Sequence, residues 1–545
     1  MGLLSLRTWL RSPADRDLIA RWTPASDVAP ELRHVVALPQ PPDPERFTLL
    51  ALGDTGNADA AARITSPQDA VAAEMALDAA LPETGGAAEF VLHLGDVVYM
   101  TGERRLYDRD FLQPYAPFLT PGSRIGDLTF RIPFLPVPGN HDYYDVNLLL
   151  KWLSAIPVLG SGLRRMSSEL FDFSLPRGGS GMGSAYMEAF VRTPADPAAP
   201  ATYMPGVDTR LPNRYYRFQY GCADFFALDS NTLDAPPPWT GAAPAEREDA
   251  RARLAELEKR VAELNAELKQ EQALCDEATA AEEAEAAASG LEPESCVRRR
   301  RLAEEALDAQ RAIALQLRRL RFGPRDYDAE QIRWLKAGLE SAARERPDNW
   351  RIVYLHHPLY TSIKNHCERP DVQDVRANLI ELLAGHAHLV LSGHSHAFEW
   401  FRTEQLPETG IFVSGGGGQI SLRPSVLRPD LIGAHREEAA SLRAHGVVEC
   451  AVAGKGPAAS DGLAGKLYHY LRLEVTREAI RVRPVGVRRL RSGYRREEPM
   501  PVYHAAEVGG AATMESRLLD FVEVRRGAAP QVRWEMRGQE SRAAS

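Results

Sequence analysis

The chain has 545 residues, 44% hydrophobic and 26% charged, ordinary values for a soluble globular protein whose core needs no disulfide or metal merely to fold. Its 65 Lys and Arg against 74 Asp and Glu leave a net charge of −9, which argues against a general nucleic-acid binder, since phosphate contacts demand a basic surplus. No run approaches the roughly 18 apolar residues of a membrane span, the apolar stretch Gly2–Leu6 is too short for a secretory signal, and five cysteines make no disulfide framework; the expected compartment is the cytoplasm.

Residues 1–45 read as a Pro-rich, charged lead-in segment. From Arg46, FTLLALGDTG is a short apolar run stopped by Gly and Asp, the pattern of a buried strand ending in a loop. SPQDAVAAEMALDAAL follows with helical spacing and Ser66 as its N-cap. EFVLHLGDVVY and RIPFLPVPGNHD repeat the strand-to-loop pattern, so the first part of the core, residues 46–239, reads as α/β with polar groups on the loops after strands. Residues 145–212 are irregular. RYYRFQYG and ADFFALDSN restore strand character.

Between 240 and 325 the composition changes. Leu254, Leu257, Val261, Leu264 and Leu268 alternate spacings of three and four, as in a coiled coil. An acidic, Ala-rich segment runs from Asp276 to Ala288, and Leu302, Ala306, Ala309, Ile313 and Leu320 share a second helical face. The pattern predicts an antiparallel helical hairpin inserted into the α/β domain, with Arg298–Arg301 as a solvated helix start and Cys275 and Cys296 as free thiols flanking its loop. The core resumes over 326–500. Asp328 and Gln331 suggest a capping box for AEQIRWLKAGLESAAR, followed by a strand in NWRIVYLHHP, a helix in VRANLIELLAGH, strands in HLVLSGHSH and GIFVSGGGG, and a hairpin from YHYLRLEV and AIRVRPVGV. Residues 425–465 and the extension 501–545 show no assignable period.

Five motifs stand at the ends of predicted strands: Gly53-Asp54-Thr55-Gly56, Gly95-Asp96-Val97-Val98-Tyr99, Gly139-Asn140-His141-Asp142, His356-His357-Pro358 and Gly393-His394-Ser395-His396. Carboxylates, imidazoles, an amide oxygen and a phenol suit iron, manganese or zinc, and the absence of a thiolate argues against a structural Cys-based zinc site. One ion needs three or four protein ligands, so this many candidates suggest two ions sharing a bridging carboxylate. Such a pair clamps the attacking and leaving oxygens of an in-line phosphoryl displacement and makes a bound water acidic enough to attack as hydroxide.

The ordered set resembles the calcineurin-like binuclear metallophosphoesterases, and LGDVVYMTG with PNRYYRF resembles the small purple acid phosphatases. The resemblance covers about residues 46–142, 213–235 and 328–420. It implies a four-layer sandwich of two mixed β-sheets flanked by helices. It places Asp54, Asp96, Tyr99 and His396 on a first metal, ferric iron because a phenolate favours a trivalent ion. Asp96 bridges, and Asn140, His356 and His394 bind a second metal: ferrous iron, zinc or manganese. His141 and His366 match positions near the leaving group and the substrate phosphate, and Asp142 is implied to orient His141. The expected activity is hydrolysis of phosphate monoesters, on a phosphorylated small molecule or phosphoprotein, by direct attack of a metal-bridging hydroxide.

Other residues read as structural: His93 as a core histidine, His357 as a bystander turned away by strand alternation, His386 and His388 as helix-end residues, and Gly415–Gly418 as a close backbone approach beneath the metal site. Glu399 stands where plant-type relatives are expected to carry a basic residue, suggesting altered access. The family usually carries a secretion signal, which this sequence lacks. Two rivals remain at this stage: a phosphodiesterase acting on nucleotides or lipid head groups, and a scaffold whose 240–325 arm binds a protein partner or a second copy while the metal is structural.

Overall fold

Every apolar run read as a buried strand forms one in the computed structural model, which describes residues 33–56, 66–80, 87–99, 102, 104–143, 184–192, 199–233, 243–282, 298, 302, 328–363, 366, 369–419, 442–454, 467–490, 493–506, 508 and 515–535. The strands before the insert are β1 (Val36–Ala37), β2 (Arg46–Leu52), β3 (Phe90–His93), β4 (Phe134–Pro136), β5 (Ala201–Thr202), β6 (Tyr216–Tyr220) and β7 (Ala223–Ala227). After it come β8 (Trp350–Tyr354), β9 (Leu389–Ser392), β10 (Phe398–Thr403), β11 (Gly410–Ser414), β12 (Val447–Ala453), β13 (Leu467–Thr476), β14 (Ile480–Leu490), β15 (Gly493–Glu497), β16 (Met500–Ala505), β17 (Glu515–Val524) and β18 (Gln531–Trp534). The longer helices are α1 (Pro67–Ala80), α2 (Ala243–Glu282), α3 (Ala329–Glu345) and α4 (Pro370–Leu383).

The two mixed sheets expected from the resemblance are hydrogen-bonded into one 16-stranded ladder, in the order β4-β3-β2-β13-β14-β17-β16-β12-β10-β11-β9-β8-β7-β6, with β15 on β14 and β18 on β17. Two parallel stretches, β2-β3-β4 and β7-β8-β9-β11, are linked by antiparallel strands. The ladder folds back on itself. Phe90 of β3 meets Phe218 of β6 and Phe225 of β7 edge to face, with ring centroids 6.0 and 5.5 Å apart, so the two parallel stretches face each other across a shared apolar core. Aromatic pairs of this geometry add about 0.5–1.5 kcal/mol each beyond their area.

Helices cover the outside. The buried positions of α3, Gln331, Leu335, Gly338, Leu339 and Ala342, recur at helical spacing, and Leu335, Leu339 and Ala342 join a second apolar cluster with Val375, Leu379 and Leu383 of α4. Helix α1 begins as predicted. The Ser66 hydroxyl accepts from the Asp69 amide at 3.1 Å and the Asp69 carboxylate accepts from the Ser66 amide at 3.2 Å, a reciprocal cap with Asp in the usual Glu position. The Gln331 side chain, expected in a capping box, accepts from the Asp229 amide at 2.8 Å and donates to the Asp229 carbonyl and Thr232 hydroxyl, both at 3.1 Å.

Residues 235–329 form a separate compact unit. Within it α2 runs for 40 residues and continues through the Ala- and Glu-rich start of the segment read as a connection, because both residues are strong helix formers. Leu264 and Leu302 share a small apolar cluster with Leu268, and Arg298 pairs with Glu271 at 3.2 Å. The proposed second-helix residues Ala306, Ala309, Ile313 and Leu320, and Cys296, lie outside the described residues. No described helix is long and apolar enough to cross a membrane.

Candidate metal centre

The motif loops follow the C-terminal ends of parallel strands, where open α/β sheets present their functional groups. Asp54 follows β2, Asp96 follows β3 and Asn140 follows β4; from the facing stretch, His356 follows β8 and His394 follows β9. Main-chain bonds lock these loops together. The Asp54 and Thr55 amides donate to the Gly95 and Asp96 carbonyls at 3.0 Å, Gly393 to His356 at 3.0 Å, and Gly53 to Ser414 at 2.8 Å. Gly139 is required by a close approach: a Cβ there would lie 2.1 Å from Asp96 Oδ1.

The side chains converge in two groups. In the first, Tyr99 Oη lies 2.8 Å from Asp54 Oδ1, 2.6 Å from Asp96 Oδ2 and 3.0 Å from His396 Nε2. In the second, Asn140 Oδ1 lies 2.9 Å from His356 Nε2 and 3.0 Å from His394 Nδ1. The two imidazole nitrogens are 3.3 Å apart, and His356 Nε2 is 3.3 Å from Asp96 Oδ2. Asp96 Oδ2 therefore belongs to both groups. The other carboxylate oxygens serve the backbone: Asp54 Oδ2 accepts from the His394 amide and Asp96 Oδ1 from the His141 amide, both at 2.7 Å.

These spacings suit cations. Donors about 2.1 Å from one ion in an octahedral shell are about 3.0 Å apart. Without a cation the polarity is frustrated. Tyr99 has one hydroxyl hydrogen for two carboxylate oxygens and an imidazole nitrogen. His356 Nδ1 lies 2.8 Å from the Leu94 carbonyl, which can only accept, so in the neutral, ligand-competent ring Nε2 turns its lone pair toward the same point as the Asn140 oxygen. Asp54, Asp96 and His356 are at most 1% exposed, and among the described residues the ion-pair partners of both carboxylates are imidazoles. Buried carboxylates need such compensation.

Backbone strain coincides with the same residues. Among the described residues, the non-glycine positions with positive φ are Asp54 (60°), Asp96 (56°), His394 (71°) and His396 (42°), all proposed ligands. The left-handed region costs about 1–2 kcal/mol per residue, a cost that persists where surrounding structure fixes a functional geometry.

The electrostatics follow from burial and charge. Burial opposes ionisation of Asp96, but His356 and His141 outweigh it and hold the carboxyl well below its ordinary range. Burial likewise opposes a charged His356, and the Asp96 and Asp54 carboxylates push it up to about 9. The carboxylates that favour a proton there would favour a metal cation for the same electrostatic reason. Tyr99 is pushed well above its usual value by burial and by Asp54 and Asp96; a bound cation reverses that logic and favours the phenolate.

The remaining predicted residues are close by. The His141 ring lies 4.2 Å from the Tyr99 ring, and the buried His366 ring lies 5.5 Å from that of His394. Asp142 accepts from the Val97 amide at 2.9 Å and the Gly139 amide at 2.8 Å, tying two ligand loops together. His357 does not point away: β8 ends at Tyr354, so strand alternation stops short of it. Its ring lies 4.7 Å from His394, the three histidines 356, 357 and 394 form a possible ligand group, and its Nδ1 meets the Ser230 hydroxyl at 2.9 Å. Glu399 is fully buried, bonded to the Ser362 amide at 2.6 Å, so it does not guard access. His93 is buried with Nε2 2.9 Å from the Thr55 hydroxyl, and its Nδ1 has no hydrogen-bond partner. Gly415 and Gly417 approach His396, Asp54 and Gly53 too closely for a side chain.

Arg369 and Asp371 were missed. They pair at 3.0 Å, and Arg369 lies 3.4 Å from His366 Nε2. The sequence signal was Pro370 followed by Asp371, a helix-start pattern five residues ahead of the predicted start.

The family model of the calcineurin-like phosphoesterases matches residues 47–180, a span holding the first three motifs, so that stretch is similar to this family. Among solved structures, a purple acid phosphatase, PPD1, from yellow lupin (Lupinus luteus) seeds is 12% identical with a TM-score of 0.40, over 82% of this chain and 52% of that one; the chain spans about half that enzyme's length. PhoD is 12% identical with a TM-score of 0.38, over 88% of this chain and 72% of that one. No curated protein matches the sequence.

Proposed function

We propose that the protein is a dinuclear metal-dependent phosphoesterase that hydrolyses phosphate monoesters by direct attack of water, without a covalent enzyme intermediate. The observation that carries this reading is the pair of donor groups sharing Asp96 Oδ2. Asp54, Asp96, Tyr99 and His396 would hold one ion, and Asn140, His356 and His394 with Asp96 the other. We assign ferric iron to the Tyr99 site and ferrous iron, zinc or manganese to the other. When bound, the two ions make water acidic and offset charge on phosphate oxygens.

The chain's own residues supply the rest. His141, held through its amide on Asp96 and packed on Tyr99, is placed to give a proton to the leaving oxygen. His366 and Arg369 present cationic or hydrogen-bonding groups on the His394 side, suited to the equatorial oxygens of a phosphate. The substrate is a phosphorylated small molecule or phosphoprotein, and the insert over residues 240–325 would serve a protein partner.

The test is hydrolysis of paired aryl phosphate mono- and diesters with added iron, zinc or manganese, comparing wild type with Asp96→Asn. Monoester turnover should fall at least on the order of 10²-fold in the variant. Turnover of diesters alone would replace the monoesterase reading with the phosphodiesterase one. No metal-supported turnover of either would favour a scaffold.

A further inference from the structure

We infer that Asp371 is a positioning residue for the second ion: its carboxylate receives the Nε2 hydrogen of His394 and fixes that ring, while Arg369 holds Asp371 in place. The inference rests on the dinuclear reading above. His394 directs Nδ1 into the donor group, 3.0 Å from Asn140 Oδ1 and 3.3 Å from His356 Nε2. An imidazole that gives the Nδ1 lone pair to a cation carries its hydrogen on Nε2. That Nε2 is buried and has no hydrogen-bond partner. A buried donor left so costs roughly 1–3 kcal/mol.

A carboxylate stands opposite it. Asp371 Oδ2 is 4.0 Å from His394 Nε2, a gap that a side-chain shift of about 1 Å closes to hydrogen-bond length. Asp371 is itself anchored. Its Oδ1 accepts from the Val372 amide at 3.1 Å, its Oδ2 from Arg369 at 3.0 Å, and it is 5% exposed. Arg369 thus touches both Asp371 and His366, joining the group that steadies a metal ligand to the group that faces substrate. Carboxylates behind metal-binding histidines fix the tautomer and raise ligand basicity, and their loss typically weakens metal binding about 10–100-fold.

The competing role for Asp371 is plain support of the α4 N-terminus, where an acidic residue complements the helix dipole. The deciding experiment is calorimetric titration of metal-free full-length protein with zinc or manganese, on wild type, Asp371→Ala and Asp371→Asn, with melting of each metal-free protein alongside. Asp371→Ala should weaken the second ion about 10–100-fold and leave the first unchanged. Asp371→Asn, which keeps an acceptor oxygen, should recover most of the loss. Unchanged affinity for the second ion in Asp371→Ala would overturn the assignment. So would an equal loss at both ions that tracks a drop in metal-free melting temperature, which would mark a helix-start role. If wild type binds fewer than two ions, the dinuclear reading itself falls and this one with it.

Discussion

The Asp96 carboxylate illustrates how much a single side chain integrates. One oxygen fixes the loop bearing His141 and the other lies in both donor groups, while its backbone is held left-handed. Tyr99 is the residue that separates metal identities. Iron-loaded protein should show a visible tyrosinate-to-iron absorption band that Tyr99→Phe abolishes; full activity in a colourless, iron-free enzyme would refute ferric iron. Glu399 gives a pH prediction. Burial pushes its carboxyl up to about 7, against hydrogen bonds from Ser362 that lower it. Since the unfolded carboxyl ionises near 4.5, the folded state keeps a proton that the unfolded state releases as pH rises. The resulting stability is full below about 4.5 and is lost on rising through about 7, a change on the order of 3 kcal/mol. Melting of metal-free protein from pH 4.5 to 8 should therefore decline more steeply for wild type than for Glu399→Gln; parallel profiles would show that Glu399 titrates normally.

Elements were legible where their period was clean and their partners local. Helix α3, the cap of α1 and the strands ending in Gly-Asp or Gly-His all follow from short-range pattern. Ser66→Ala removes the two bonds that the hydroxyl makes with Asp69, from its amide and to its carboxylate, leaves the Ser66 amide bond in place and should cost about 1 kcal/mol, read as a lower melting temperature with turnover intact. Strands β12 and β15–β18 escaped; β17, ESRLLDFVEV, interleaves charged with apolar residues, and its Glu523 finds Arg481 of the predicted strand β14 at 3.0 Å, a polar pattern that reads as loop until its partner strand is known. Strand β10 was missed because FEWFRT sits directly after the GHSH motif, and Glu399 in an otherwise apolar run disguised it. His357 was misread for the opposite reason, since alternation was extended past the last strand residue.

At the scale of the molecule, the long antiparallel stretch brings two parallel stretches, distant in sequence, onto one site. The larger compact unit is interrupted after residue 234 and resumes at 330. Asp229 and Gln331 bond directly across that gap, so the ends of the insert are neighbours. Replacing residues 240–325 by a short Gly/Ser linker should preserve the melting temperature and monoester turnover of the remainder, and loss of a bound partner would assign the arm its role. Turnover lost on excision in a folded protein would place the arm in catalysis instead.

Sequence alone determined the chemistry available: which side chains carry lone pairs, that they follow strands, and that glycines precede them, because motif spacing and strand ends are local properties. It also determined the resemblance that assigned ligands to two ions. Only the tertiary structure decided that one oxygen of Asp96 belongs to both groups, that four of the seven proposed ligands sit in strained left-handed turns, that Glu399 is buried rather than exposed, and that Asp371 stands behind His394. Those facts depend on contacts between loops up to 340 residues apart, as between Asp54 and His394, and no local pattern encodes which loop the folded ladder will bring against another.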